Sequence, residues 1–278
     1  MLHALGEGDV RALHRTRVAS RRLREILPVL QLEPELADRL GKRLKKVTIQ
    51  LGVVRELDVL ANLVAELRDQ DRFDPQVLRR IASAIDDERI EARDHLYAKL
   101  PTRELERIAK KLEKVGGDLR DSKPSRGWQY AVDARVSRRA ATLSKALDAA
   151  GAMYLPERLH DVRIALKKLR YAVEIAGDAA GVRSLAEVKA LKREQDVLGR
   201  LHDLQVLIDR VRQLQPALAA PDVTLWRKID ALIAALEDEC RRLHAKFVHQ
   251  QAPIRAICER AVRAAADAPP GTRAAKAS

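Results

Sequence analysis

The chain has 278 residues, 46% of them apolar, enough to bury one large core or two ordinary ones; collagen-like, disordered and miniature disulfide-stapled classes are excluded. With only 12 Gly, 11 Pro and eight aromatic residues, in a sequence dominated by Ala, Leu, Val, Arg, Lys and Glu, the composition predicts an all-α fold. The 53 basic residues against 40 acidic ones leave a net charge of +13, so an anionic partner is expected; charge alone does not choose among nucleic acid, an acidic membrane surface and a phosphate polymer.

Apolar periodicity predicts helices over 9–31, 35–69, 75–99 and 102–120. The stretch DSKPSRG, Asp121 to Gly127, carries the Pro, Gly and Ser of a linker. Beyond it, helices are predicted over 128–150, 155–180, 184–214 and 222–265, the last broken near Pro253. The end of the chain, with Pro269, Pro270 and Gly271, lacks periodicity and is expected to be disordered. The organisation read from this pass is a first helical repeat over 1–121, a linker over 122–127, a second repeat over 128–263 and a tail over 264–278.

No run approaches the roughly 20 apolar residues that span a bilayer, and the first ten residues hold Glu7 and Asp9 rather than a leader. Cys240 and Cys258 match neither a disulfide framework nor a zinc spacing, so a reducing compartment, the cytoplasm, is the expected location.

The halves are related. LHRTRVASRRLR from Leu13 matches LHDVRIALKKLR from Leu159 at an offset of 146, and KRLKKVTIQLGVVRELDVL from Lys42 matches KALKREQDVLGRLHDLQVL from Lys189 at an offset of 147. A weaker match at 147 relates Ile81–Leu100 to Lys228–Phe247. The second copy has a helix ahead of its LHDVR segment, whereas only a dozen residues precede LHRTR.

On a helical wheel His14, Arg17, Arg21 and Arg24 fall within about 80° of one another, with Ala12, Ala19, Leu23, Ile26 and Leu30 opposite. His160, Arg163, Lys167 and Arg170 repeat the stripe, backed by Ala165, Leu169, Ala172 and Val173. A single basic stripe is ordinarily a solvated face with interspersed acids, but no acid lies between Arg11 and Arg24 and the same four positions recur as cations or histidine. The second repeated element adds Lys42, Lys45 and Lys46, answered by Lys189, Lys192 and Arg193. The first three share a face with Ile49, Val53, Leu60 and Leu67, so later turns are expected to anchor the helix while the lysines line a cleft. Guanidinium forks and mobile ammonium groups together suit a chain of phosphates.

These segments, with LGVVRELDVL and LGRLHDLQVL, resemble the CHAD domain, the histidine-containing α-helical domain, over roughly residues 9–263. The resemblance implies two four-helix-bundle-like units with internal pseudo-twofold symmetry around a basic central pore that binds inorganic polyphosphate. By it His14, Arg17, Arg21, Arg22 and Arg24, with His160, Arg163, Lys167, Lys168 and Arg170, would line that pore. It also suggests recruitment to polyphosphate granules.

Several rival readings are open at this point. Nonspecific nucleic-acid binding would use the same stripe, but no recognition motif or stacking platform accompanies it, which leaves nucleic acid as a weak competitor. A phosphotransfer histidine at His14 or His160 would make the chain an enzyme; the stripe supplies neither convergent acids for Mg²⁺ nor a Gly-rich phosphate loop, so no catalysis and no cofactor is expected. Glu157-x-x-His160 is half of a di-iron pattern, and Arg11 breaks the other half. Arg55 and His202 are equivalent to each other and each has a reading toward the pore; pairing of Arg55 with Glu56 or Asp58 is an equal alternative, so neither is placed in the binding set. His202 beside Asp203, and His95, His244 and His249, read as structural; Trp128, Trp226 and Phe247 read as core.

Overall fold

A computed structural model of the chain describes residues 10–30, 32–99, 102–121, 127–180 and 185–266. Among these are nine α-helices and no strand: α1 Val10–Ile26, followed by a short 3-10 turn Leu27–Val29, α2 Pro34–Asp69, α3 Pro75–Lys99, α4 Thr102–Asp121, α5 Gly127–Ala150, α6 Pro156–Ala180, α7 Leu185–Ala219, α8 Val223–Gln250 and α9 Ala252–Ala266. Local chemistry sets the ends. Pro34, Pro75 and Pro156 open their helices, where the missing N–H costs nothing. Asp74 Oδ1 accepts the backbone N–H of Gln76 and Val77 at 2.8 and 3.2 Å, and Asp222 Oδ1 that of Leu225 at 2.9 Å, capping α3 and α8. Gly151, at φ +58°, stops α5 in the left-handed conformation that glycine adopts without strain, its N–H donating to the Leu147 carbonyl at 3.2 Å.

The helices gather into two compact units that cut across the two sequence halves. One takes the described residues through Leu27, those from Leu32 to Pro124 and Asp203–Asp238; the other takes those from Pro28 to Gln31, from Ser125 to His202 and from Glu239 onward. Both α7 and α8 therefore contribute one part to each unit.

In the first unit α2 packs against both α1 and α3. Leu13, Leu40, Leu51, Leu60, Leu78 and Ile85 are buried there, and the α7–α8 hairpin adds Ile208 and Leu232. The hairpin is tied down by Lys228 Nζ to Asp74 Oδ2 at 2.7 Å and Arg210 Nη2 to Glu88 Oε2 at 3.2 Å. In the second unit α6 and α9 both pack on α5, and Leu143, Leu147, Leu166, Leu169, Leu191 and Phe247 form its centre. Cys240 and Cys258 are both buried and free, and burial pushes the Cys258 thiol up to about 11.

Several expectations need correction. The α7 helix continues through Pro216 to Ala219, because Ala219 is buried and the Leu218 carbonyl accepts Arg80. Trp226 is 39% exposed rather than core, whereas Phe247 is buried as expected and Trp128 is half-buried. Ile49 and Val53 are 58% and 56% exposed, so only Leu60 and Leu67 of the apolar half-stripe anchor α2. On α1 the buried side is Ala12, Leu13, Thr16 and Ser20, rotated from the predicted Ala12, Ala19, Leu23, Ile26 and Leu30, of which the last four are half-buried. Two hydroxyls can go inside because each finds an acceptor: Thr16 Oγ1 donates to the Ala12 carbonyl at 2.8 Å and Ser20 Oγ to the Arg17 carbonyl at 2.9 Å. Ala264 to Ala266, assigned to the tail, are helical, and Gly127 belongs to α5. The rest of the tail, the rest of the linker and the segment ahead of Val10 lie outside the described residues.

Leu143→Ala, which deletes a fully buried side chain of the second unit, should cost about 2–5 kcal/mol in urea unfolding. Met153→Ala, at 72% exposure, should stay within about 0.5 kcal/mol. Equal effects of the two would refute the assigned core.

Candidate anion-binding site

In the first unit the basic stripe of α1 lies alongside α2 in a stepwise register. Ser20 Oγ meets Thr48 Oγ1 at 3.0 Å; with the Thr48 hydroxyl donated to the Leu44 carbonyl at 2.7 Å, the one Ser20 proton is shared between Thr48 Oγ1 and the Arg17 carbonyl. One turn earlier on α1 and one turn later on α2, Arg17 lies over Gly52, where an added Cβ would stand 3.8 Å from its Nη2. Alanine would fit there; a longer side chain would displace the guanidinium. The next step brings Arg55 to His14. Partial burial and the guanidinium charges of Arg55, Arg17 and Arg21, in that order, hold the His14 pKa below its usual value. Arg55, omitted by the sequence reading, thus belongs to the array. It does not pair with Asp58, whose buried carboxylate is taken by Arg93 at 3.1 Å.

The second unit repeats the register with different chemistry. His160 of α6 faces His202 of α7, Nδ1 to Nδ1 at 3.4 Å, with ring centroids 4.8 Å apart. Burial, then the charges of Arg163, His160 and Lys167, lower the His202 pKa to about 3. His160 is lowered too, by burial and then Arg163, with Asp161 opposing. The structural hydrogen bond expected of His202 is therefore made to the stripe histidine itself, which places His202 in the array.

Other predicted residues divide by what already occupies them. Arg170 donates from Nε to Gln195 Oε1 at 2.8 Å, pairs with Glu174 and lies 4.7 Å over the Tyr171 ring, so it is committed within the unit. Arg193 Nε donates to Glu194 Oε1 at 3.2 Å; burial raises the pKa of that carboxyl, against Arg193 and Lys246. Lys42 makes an exposed i,i+4 pair with Asp38 at 2.8 Å. Lys45, Lys46, Lys189, Lys192 and Arg22 are exposed; Arg24, Lys167 and Lys168 are half-buried beside their stripes. The structure thus brings His14, Arg17, Arg21 and Arg55 together in one unit, and His160, Arg163, Lys167 and His202 in the other.

The register was readable from the repeat. Residues 20, 17 and 14 descend α1 while 48, 52 and 55 ascend α2, all at helical i,i+3 or i,i+4 spacing, and 166, 163 and 160 against 195, 199 and 202 do the same.

Among the described residues no group of three or more His, Cys, Asp or Glu is placed to hold a metal ion, and no helix is long and apolar enough to cross a membrane. A depression between Arg68, Asp71 and Phe73 carries both signs of charge and none of the array.

The sequence profile of the CHAD domain matches residues 3–212. The chain belongs to the CHAD domain family. Its fold is similar to that in the crystal structure of the CHAD domain from the plant Ricinus communis, with a TM-score of 0.54 and 23% identity, over 92% of this chain and 81% of that one. No curated protein matches the chain. At that identity the likeness concerns the fold, and the chemistry of this CHAD domain rests on its own arrays.

His202 of this CHAD domain should stay neutral, with no ring-proton NMR titration between pH 8 and 5. Because its folded pKa lies below the unfolded 6.5, the unfolded state takes up the proton first. The contribution of His202 to stability is therefore complete above about pH 6.5 and declines as pH falls toward 3. Stability of His202→Gln should lose that part of the pH dependence; an unchanged profile would contradict the burial-driven shift.

Proposed function

We propose that this CHAD domain binds inorganic polyphosphate without turning it over, through its two basic arrays. The observation that carries the reading is the recurrence, one array in each unit, of a motif histidine flanked by two cations on its own helix and faced by an equivalent residue on the next. Solvated cations need no such register. Packed this way, like charges repel, and a polyanion relieves the repulsion by supplying phosphates to each. The binding set proposed is His14, Arg17, Arg21, Arg22, Arg24, Lys42, Lys45, Lys46, His160, Arg163, Lys167, Lys168, Arg170, Lys189, Lys192 and Arg193, with Arg55 and His202 added. Of these, Arg170 contributes field more than contact, since Glu174 and Gln195 hold it.

The finer architecture, two repeated bundles with pseudo-twofold symmetry and a shared basic pore, belongs to this proposal and is supported by the internal repeat. So does recruitment to polyphosphate granules in the cytoplasm. Nucleic acid also offers one negative charge per phosphate, but its phosphates are spaced by sugars and the sequence carries no recognition motif, so it is assigned the role of weak competitor.

At moderate salt, long polyphosphate should displace duplex DNA at matched phosphate concentration, with no divalent metal added; the reverse order would overturn the reading. Affinity should fall steeply with salt and rise with chain length. Arg17→Ala with Arg21→Ala should weaken polyphosphate by roughly ten- to a thousand-fold with helicity unchanged, and Arg163→Ala with Lys167→Ala should weaken the same polymer. Loss in only one of the two variants would leave the other array an ordinary solvated face.

A further inference from the structure

The two arrays differ at one equivalent position. Against the motif histidine of the first unit stands Arg55, a permanent cation; against that of the second stands His202, a titratable ring. The geometry of the second pair limits its charge. A 3.4 Å Nδ1···Nδ1 contact requires one N–H and one lone pair, so the two rings can both be neutral or share one added proton, but two imidazolium ions would set donor against donor. His202 is the more deeply enclosed, so the tautomer that suits proton uptake from solvent is the one in which it accepts, with its own hydrogen on Nε2. His160 then donates from Nδ1, and its Nε2 lone pair is the place for one proton from solvent, which leaves the ring-to-ring bond intact and presents a charged N–H donor.

The α6 helix brings Arg163 and Lys167, which oppose protonation, and Asp161, which favours it. On α7 the flanking ionisable residues are Arg200 and Asp203, and α8 meets α7 through the buried Cys240, whose Sγ lies 3.9 Å from the Leu201 carbonyl. An anion bound across Arg163 and Lys167 cancels the two charges that oppose the proton.

We propose that His160 and His202 form a proton-gated half of the binding site: polyanion binding at the second array draws one proton from solvent onto His160, while Arg55 fixes the charge of the first array. This rests on the polyphosphate reading above and specifies how the second array is regulated. By linkage, one proton taken up on binding raises affinity by at most tenfold for each unit the pH falls. Acidification therefore tightens the complex, and saturation with polyphosphate raises the His160 pKa.

The test uses the full chain with long-chain polyphosphate, whose internal phosphates stay singly ionised throughout the range. Affinity is measured from pH 7.5 to 5.5 in the natural chain, in His160→Gln and in His202→Arg, each also in a His14→Gln background that removes the titrating group of the first array. The natural second array should gain three- to tenfold or more over this range. His160→Gln should flatten the gain, and His202→Arg should raise affinity at pH 7.5 while removing most of the pH dependence. In parallel, ring-proton NMR of the natural chain should show the His160 titration move upward on saturation with polyphosphate, a readout that stands even if a variant fails to fold. A His160 titration unmoved by polyphosphate, or a pH gain that persists in folded His160→Gln, overturns the inference and leaves polyphosphate binding standing. Absence of binding at every pH overturns both.

Discussion

Crowding of like charge on one helical face is the constraint that the rest of the molecule answers. Two unit charges about 4 Å apart repel by roughly 1 kcal/mol in water and by several times that near a protein surface. A helix carrying Arg11, Arg15, Arg17, Arg21, Arg22 and Arg24 would gain little from folding alone and must be held by what lies beneath it. In the first unit that support is Leu13 together with the hydroxyl contact of Ser20 and Thr48, which fixes the register between α1 and α2. Once the register is fixed, Arg17 falls over Gly52 and His14 beside Arg55 without further instruction.

The second unit meets the same constraint by other means. Leu166 stands where the first unit has Ser20, and Gln195 where it has Thr48. The apolar residue goes into the core, and the amide is turned to hold Arg170, which Glu174 partly neutralises. At the position of Glu174 the first copy has Pro28, so Arg24 has no acid there to answer it. The result is a second array with an imidazole, His202, where the first has the guanidinium of Arg55. An internal repeat has thus been kept in outline while its two copies drifted to different electrostatic characters.

How much of this the sequence discloses depends on which interaction decides each feature. Helix spans follow from apolar periodicity, and most lie within a few residues of expectation because long amphipathic segments carry redundant signals. The exceptions are instructive. The helix predicted to end at 214 runs on through Pro216, where one lost hydrogen bond near a helix end is offset by burial of Ala219 and the Arg80 bond to the last turn. The face of α1 was misjudged because Thr16 and Ser20 count as polar in any pattern, although each satisfies its own hydroxyl locally and can be buried. Arg55 and His202 were passed over for a different reason: their partners come from another helix, and a wheel drawn for one helix does not show the antiparallel step that brings 14 to 55 and 160 to 202 together.

If the arrays bind a polyanion as proposed, one permanent and one conditional cation would also change what kind of anion is selected. A small phosphate gains only from the groups it touches, so its affinity is set by one array. A long chain adds the contributions of every array it reaches, with the second engagement made at high effective concentration. On the same reading its occupancy would also draw the proton that the bare second array resists. Chain length and acidity would then act on the same free energy, because each phosphate held near Arg163 and Lys167, the cations that lower the His160 pKa, would lower the cost of charging that ring. On the proposed reading, selectivity for polymer over monomer would not require a pocket shaped to either one; it would follow from the number of cations that one chain engages in succession.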